Sequence, residues 1–315
     1  MDQARESKLV PISPPSVAPE ASQGQAAIGL RAVCEPAELG DSITAVCEKL
    51  RRARNRPLLT LICEFIDDDF VQEFCKLRIK LSELAKADKP AGGIDILLSS
   101  PGGDLDSCFT LARLLGRWLT SWEALVPYYA TSGATLICLG SANLVMSEQA
   151  RLGPLDPQER FFGMERSSAF QAFWALRRLR DFALESVESG VDFLVERKVP
   201  PELALKIASE LSVQFVGPIV AKIDPADIGV FSMNGAMAID YCTRIGSPSN
   251  PAKRTQRKVD PAELIRCPGH EFAIDLEAAR RLNFVVSEAA AELEELFDQL
   301  RPLLGKVDRY VGLIP

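Results

Sequence analysis

The sequence predicts an α/β fold built on a parallel sheet, and three observations carry that expectation. Short continuous apolar runs recur, Leu58–Cys63 and Ile94–Ser99 above all, as expected of strands buried on both faces. Stretches with a 3.6-residue apolar period lie between them, and Gly- or Pro-bearing turns punctuate the joins. Strand, helix, strand, helix with crossovers of this length implies right-handed parallel βαβ units.

Taken in order, Glu38–Arg52 reads as an amphipathic helix with Ile43, Val46, Cys47 and Leu50 on one face. Pro57 opens the first strand, Leu58–Cys63, and Asp67–Leu84 reads as one helix. A turn at Lys89–Gly93 leads into the strand Ile94–Ser99. Ser100-Pro101-Gly102-Gly103 ends that strand, and Asp104–Leu119 is helical. Leu125–Ala130 is the third strand, closed by Thr131-Ser132-Gly133, with a small-residue helix from Ala134 to Ala142. Leu144–Met146 is a short strand and Arg151–Gln158 a loop rich in Pro and Gly. Phe161–Val195 and Pro201–Leu211 are helical, Ser247–Lys258 is a basic surface loop, and Ser287–Leu304 is a final helix. The domain expectation is a disordered leader over residues 1–27, one α/β domain over 28–286, and a C-terminal helix and tail over 287–315.

Composition narrows the function. The 315 residues are 47% hydrophobic and 25% charged, which suits a globular core. A net charge of −7 argues against general nucleic-acid binding, which leaves a basic footprint. The eight cysteines form no C-x-x-C pair and there is one histidine, so neither a metal nor another cofactor is expected. Several cysteines sit in apolar runs and read as reduced core residues of a cytoplasmic protein. The first 25 residues lack the apolar core of a secretory signal, and the best apolar segment, Ala134–Met146, is too short to cross a membrane.

Two strand-to-helix turns carry the chemistry. Gly102 and Gly103 allow close backbone approach and leave N–H groups pointing outward at a helix start, a ready oxyanion site. Ser132 stands just before the next helix, with Gly133 beside it keeping its N–H accessible. Read singly, a Ser at a helix start is an ordinary N-cap. About thirty residues apart on successive βα units, the two turns converge at the end of the sheet where open α/β folds place their sites.

These turns, together with Ala130-Thr131-Ser132-Gly133-Ala134 and Ala150-Arg151-Leu152-Gly153-Pro154-Leu155-Asp156-Pro157-Gln158, resemble the serine dehydrogenase proteinase family. That family belongs with the Clp protease subunit, signal peptide peptidase A and the crotonases. Further matches are Ile223-Asp224-Pro225, Tyr241 and Gly269-His270-Glu271-Phe272. The resemblance implies a ββα spiral and an association into trimers, hexamers or larger rings. It makes Ser132 the nucleophile and Gly103, or its neighbour Gly102, with Gly133 the oxyanion donors.

The general base is left open. A serine nucleophile needs one, and the Clp-type histidine has no counterpart in the segment 152–157. One arrangement uses His270 as base with Asp156 orienting it. Another is a Ser–Lys dyad with Lys222. The leading expectation is an ATP-independent serine peptidase acting on peptide or protein substrates. A crotonase-like acyl-CoA enzyme and a catalytically impaired scaffold of the same fold are the alternatives.

Overall fold

The structure is a computed structural model, and it describes residues 10–11, 29–86, 93–155, 158–161, 164–246, 259–265, 267 and 272–315. The leader expectation falls almost wholly outside these residues, and the basic loop expected at Ser247–Lys258 does so entirely. The chain forms two compact units, Met1–Leu155 with Ile239–Pro315, and Asp156–Ala238.

The first unit opens with β1 (Val10–Pro11), β2 (Leu30–Glu35), α1 (Gly40–Arg54) and β3 (Leu58–Cys63). There follow α2 (Asp68–Cys75), α3 (Arg78–Lys86), β4 (Ile94–Ser99), α4 (Leu105–Trp118), β5 (Trp122–Val126) and β6 (Tyr129–Ala130). α5 (Gly133–Leu139), β7 (Asn143–Met146) and β8 (Arg151–Leu152) complete its N-terminal part. The second unit holds β9 (Gln158–Phe161), β10 (Met164–Ser168), α6 (Ala169–Glu196), α7 (Pro201–Val220) and the start of α8 (Pro225–Ile245). α9 (Pro261–Ile265), α10 (Leu276–Arg281), β11 (Val286–Glu288), α11 (Ala291–Leu304) and β12 (Arg309–Ile314) return to the first.

The main sheet runs β1-β2-β12-β3-β4-β5-β7-β11. Its β3-β4-β5-β7-β11 portion is parallel throughout, and Leu59, Ile96, Ala124, Leu144 and Val286 lie in one row across it. The α/β, mostly parallel class read from the sequence therefore holds. β3 and β4 are buried at every position, which is why they read as largely apolar runs, broken only by Thr60, Asp95 and Ser99. α1 and α11 cover one face, packing Ile43, Leu50, Phe297 and Leu300 against Leu97, Leu125 and Tyr310.

Several elements differ from expectation. The strand read as Leu125–Ala130 is two pieces: β5 starts earlier, at Trp122, and the chain leaves the sheet at Pro127, which lacks a ladder donor. The single helix expected over Asp67–Leu84 breaks after Cys75. β2 and β12 form an antiparallel flank that the sequence did not announce.

In the second unit, part of the expected long helix is a β9–β10 hairpin, and α7 runs nine residues past Leu211. α6 and α7 pack antiparallel, with Gly190 against Ala208 and the Ser212 hydroxyl donating to the Ala183 carbonyl at 3.0 Å. An apolar groove between them is lined by Leu176, Leu179, Phe182, Ile219 and Ile223. By length and composition α7 is long and apolar enough to cross a membrane. Glu202, Lys206 and Glu210 mask it in the sequence, where no stretch of that kind was expected.

At the N-terminal ends of the parallel strands sits a cluster of charges. Arg54 Nε meets Asp95 Oδ2 at 2.7 Å and Arg54 Nη2 meets Glu123 Oε2 at 2.9 Å, while Arg56 Nη1 reaches both carboxylates at 3.1 and 2.7 Å. Asp95 is fully buried. Burial alone would raise the Glu123 carboxyl, but hydrogen bonds from Arg56 and Asn143 and the two guanidinium charges hold it below the ordinary carboxylate range.

Removing one member of a buried ion cluster strands its partners, so Asp95→Ala is expected to destabilise the protein by about 3 kcal/mol in denaturant titration. Because Glu123 titrates lower folded than unfolded, its contribution is present above about pH 4.3 and is lost as pH falls through the depressed folded value. The Tm gap between wild type and Glu123→Gln should therefore narrow on acidification; a gap that widens contradicts the assignment.

Candidate active site

The site is built where β4 and β5 end. Ser100 continues β4 beyond the sheet and pairs with the next turn: its N–H donates to Tyr129 O, and Thr131 N–H donates to Ser100 O, both at 3.1 Å. The Thr131 hydroxyl donates to Pro101 O at 3.0 Å. These bonds draw the two Gly-bearing turns into contact. Gly102 has φ 115°, and a Cβ there would stand 2.9 Å from Ser132 Cβ and 3.0 Å from Gly133 N. Only glycine meets both demands.

The three backbone amides expected to serve an oxyanion are not equivalent. Gly102 N–H is occupied, donating to the Ser100 hydroxyl at 3.1 Å. Gly103 pairs with Ile66 through its neighbours: Ile66 N–H donates to Gly102 O at 2.8 Å and Asp104 N–H to Ile66 O at 2.9 Å. That pattern turns Gly103's own N–H away from Ile66, and it has no acceptor among the described residues. The Gly133 N–H, at the first position of α5, likewise has none. The two are neighbours, since a Cβ on Gly133 would lie 3.7 Å from Gly103 N.

Ser132 has φ 51° and ψ −126°, a conformation that a residue with a side chain rarely adopts. Its hydroxyl caps no amide of α5, so the ordinary N-cap reading fails. The backbone around it is pinned, Ala134 N–H to Thr131 O at 3.0 Å and Thr135 N–H to Ser132 O at 2.8 Å. Beneath the turn lie two buried thiols: Cys108 packs against Gly133, and Cys63 donates to the Ser100 hydroxyl at 3.5 Å. Burial pushes the Cys63 thiol up to about 12 and the Cys108 thiol higher, so the floor of the site is uncharged.

The Arg151-to-Leu155 stretch forms the third wall. β8 pairs with β6, and Leu152 bridges Ile274 with bonds of 2.9 and 3.0 Å. A Cβ on Gly153 would stand 2.8 Å from Thr131 Cβ and 3.1 Å from Ser132 N. Thr135, which the sequence reading passed over, has a fully buried hydroxyl 2.8 Å from Ala130 O, 2.8 Å from Gly153 O and 3.1 Å from Gly153 N.

Of the residues expected to complete the site, Asp156 and His270 lie outside the described residues. Lys222 is an exposed residue of the second unit; it follows helix α7, where the sequence suggested a strand end. Tyr241 donates to Asp106 at 2.5 Å and stacks on Phe109 at 4.0 Å, tying the end of α8 to α4.

Residues 62–172 match the family model described as ClpP-like SDH-type serine proteinase. This segment is similar to that family. It contains both turns, Ser132 and the Arg151–Leu155 stretch. Over 74 residues the chain is 40% identical to an uncharacterized protein of Methanocaldococcus jannaschii, covering 24% of this chain and 25% of that one. A second uncharacterized protein of that organism is 26% identical over 145 residues, 42% and 48% of the two chains. The match thus spans a quarter to about half the length of these curated relatives.

Among solved structures, a mutant form of the 1510-N membrane-bound stomatin-specific protease is similar at 14% identity and a TM-score of 0.42, over 77% of this chain and 83% of that one. ClpP1 from Listeria monocytogenes is similar at 11% identity and a TM-score of 0.37, over 78% and 98%.

The contact between the two turns of the ClpP-like segment yields a direct test. Gly102→Ala would place a methyl group against Ser132 and Gly133 in a strained φ region, destabilising the fold by about 1–3 kcal/mol. Chemical denaturation measures that loss. A variant as stable as wild type contradicts the described contact.

Proposed function

We propose that the chain is a serine peptidase that cleaves peptide bonds through an acyl-enzyme on Ser132. The observation that carries this reading is the left-handed Ser132 beside two backbone N–H groups, Gly103 and Gly133, that have no acceptor among the described residues. Ser132 Oγ attacks the scissile carbonyl and gives its proton to a base. The oxygen that becomes negative is held by the Gly103 and Gly133 N–H groups, while Gly102, already bonded to Ser100, supports the turn. The base returns the proton to the leaving amine, and water then releases the acyl group. No step needs ATP or a cofactor.

His270 is the base in this reading, with Asp156 orienting it. In support, Ile274, four residues after His270, is bonded to Leu152, one residue before Gly153 at the Ser132 turn. Lys222 is the alternative base.

We also propose a cytoplasmic homo-oligomer, a trimer, hexamer or larger ring. α6 and α7 expose Trp174, Phe182, Phe193, Val213 and Phe215 to between 49% and 68%. Apolar area beyond a few hundred Å² is rare on monomers, and further copies of the chain would cover it. The buried thiols of Cys47, Cys63, Cys108 and Cys138 suit a reducing compartment.

A fluorophosphonate probe is expected to label Ser132, with labelling abolished in Ser132→Ala and sharply reduced in His270→Ala. Loss in Lys222→Met instead would make the lysine the base, and labelling that survives Ser132→Ala contradicts the mechanism. In sedimentation equilibrium the wild type should exceed its 34.5 kDa chain mass, and Val213→Glu with Phe215→Glu should lower the assembly state. A wild-type monomer would overturn the oligomer.

A further inference from the structure

We infer that Thr135 is a positioning residue for Ser132, acting through Gly153. The inference rests on the nucleophile reading above and adds a residue to it. Thr135 lies three residues after Ser132, in the first turn of α5, and is fully buried. Its hydroxyl has one proton and two lone pairs, and it meets three backbone groups: Ala130 O and Gly153 O at 2.8 Å each, and Gly153 N at 3.1 Å. One side chain thus ties the strand end before the nucleophile to the wall opposite it.

What that tie controls follows from Gly153. The residue lies so close that a Cβ would be 3.1 Å from Ser132 N and 2.8 Å from Thr131 Cβ. Gly153 therefore forms the backstop of the Ser132 turn; Thr135 accepts its N–H, while the single hydroxyl proton is shared between Gly153 O and Ala130 O. Without the hydroxyl, the Gly153 amide has no partner in a buried place, and the 151–155 stretch has reason to shift. The left-handed conformation of Ser132 costs free energy that its surroundings must offset. A relaxed backstop lets the turn relax too, carrying the hydroxyl and the adjacent Gly133 N–H out of line. Misplacement on the order of 1 Å lowers reactivity about 100-fold.

The test is the kinetics of fluorophosphonate labelling on the full chain, separating the maximal rate from the probe concentration that gives half of it. Thr135→Val, which keeps the shape and removes the hydroxyl, is expected to lower the maximal rate about 100-fold. The half-saturating concentration should stay close to that of wild type. Thr135→Ser should restore the rate to within several-fold. A merely structural role would change how much protein folds, not the rate of the folded fraction. Gly153→Ala keeps the hydroxyl and crowds the turn directly, so it should show the same loss of rate and decides the matter if Thr135→Val does not fold. Wild-type rates in folded Thr135→Val, or in folded Gly153→Ala, overturn the inference alone. A wild-type chain that does not label at Ser132 overturns the nucleophile reading, and this inference with it.

Discussion

The arrangement at the C-terminal end of the sheet depends on one pair of backbone hydrogen bonds. Ser100 gives its N–H to Tyr129 and takes the N–H of Thr131, so that two turns thirty residues apart become adjacent rungs of a ladder. Without that pairing the contact of Gly102 with Ser132, and the nearness of Gly103 to Gly133, would rest on the Thr131 hydroxyl bond to Pro101 O. The pairing in turn requires β4 and β5 to lie side by side in parallel register, with Ile96 opposite Ala124. A local site is thereby set by the largest element of the fold.

The two ends of the sheet solve opposite electrostatic problems. At the N-terminal ends, Asp95 is buried and survives as a charge because Arg54 and Arg56 surround it. At the C-terminal ends the buried groups are thiols, hydroxyls and amides, with Cys63 and Cys108 kept neutral by burial. Arg54 and Arg56 stand at the opposite end of the strands from Ser132, and the ion pairs at its own end, Arg309 with Asp67 and Arg301 with Glu294, are partly exposed. A floor without fixed charge suits a reaction in which negative charge appears only transiently.

The sequence was most legible where burial is symmetric and least where pairing is distant. β3 and β4 read plainly because both their faces are covered, and the two glycine turns followed from their ends. The break at Pro127 could be found from the proline alone. β2 and β12 were missed because their pairing joins residues nearly 280 positions apart, such as Cys34 and Tyr310, which no local pattern records. Thr135 escaped for a related reason: a buried threonine in an apolar helix looks like any other until its hydroxyl is seen between Ala130 and Gly153. The difference between Gly102 and Gly103 was not legible because the partner of the Gly102 N–H is a side chain, Ser100 Oγ. In the second unit the charges of α7 hid a long apolar helix from a reading that looked for uninterrupted runs.

The position of β12 has a consequence for how the protein is made. It does not lie at the rim but between β2 and β3, with Leu313 facing Leu30 on one side and Leu59 on the other. During synthesis the open edge of β3 must therefore wait for residues 309–314 before its hydrogen bonds are met. For most of that interval a fully buried strand is presented as an unpaired, apolar edge, the kind of surface on which nascent chains aggregate. β12 follows every other strand of that sheet along the chain, so the Ser132 turn is assembled on a scaffold whose sheet is complete only once residues 309–314 have emerged.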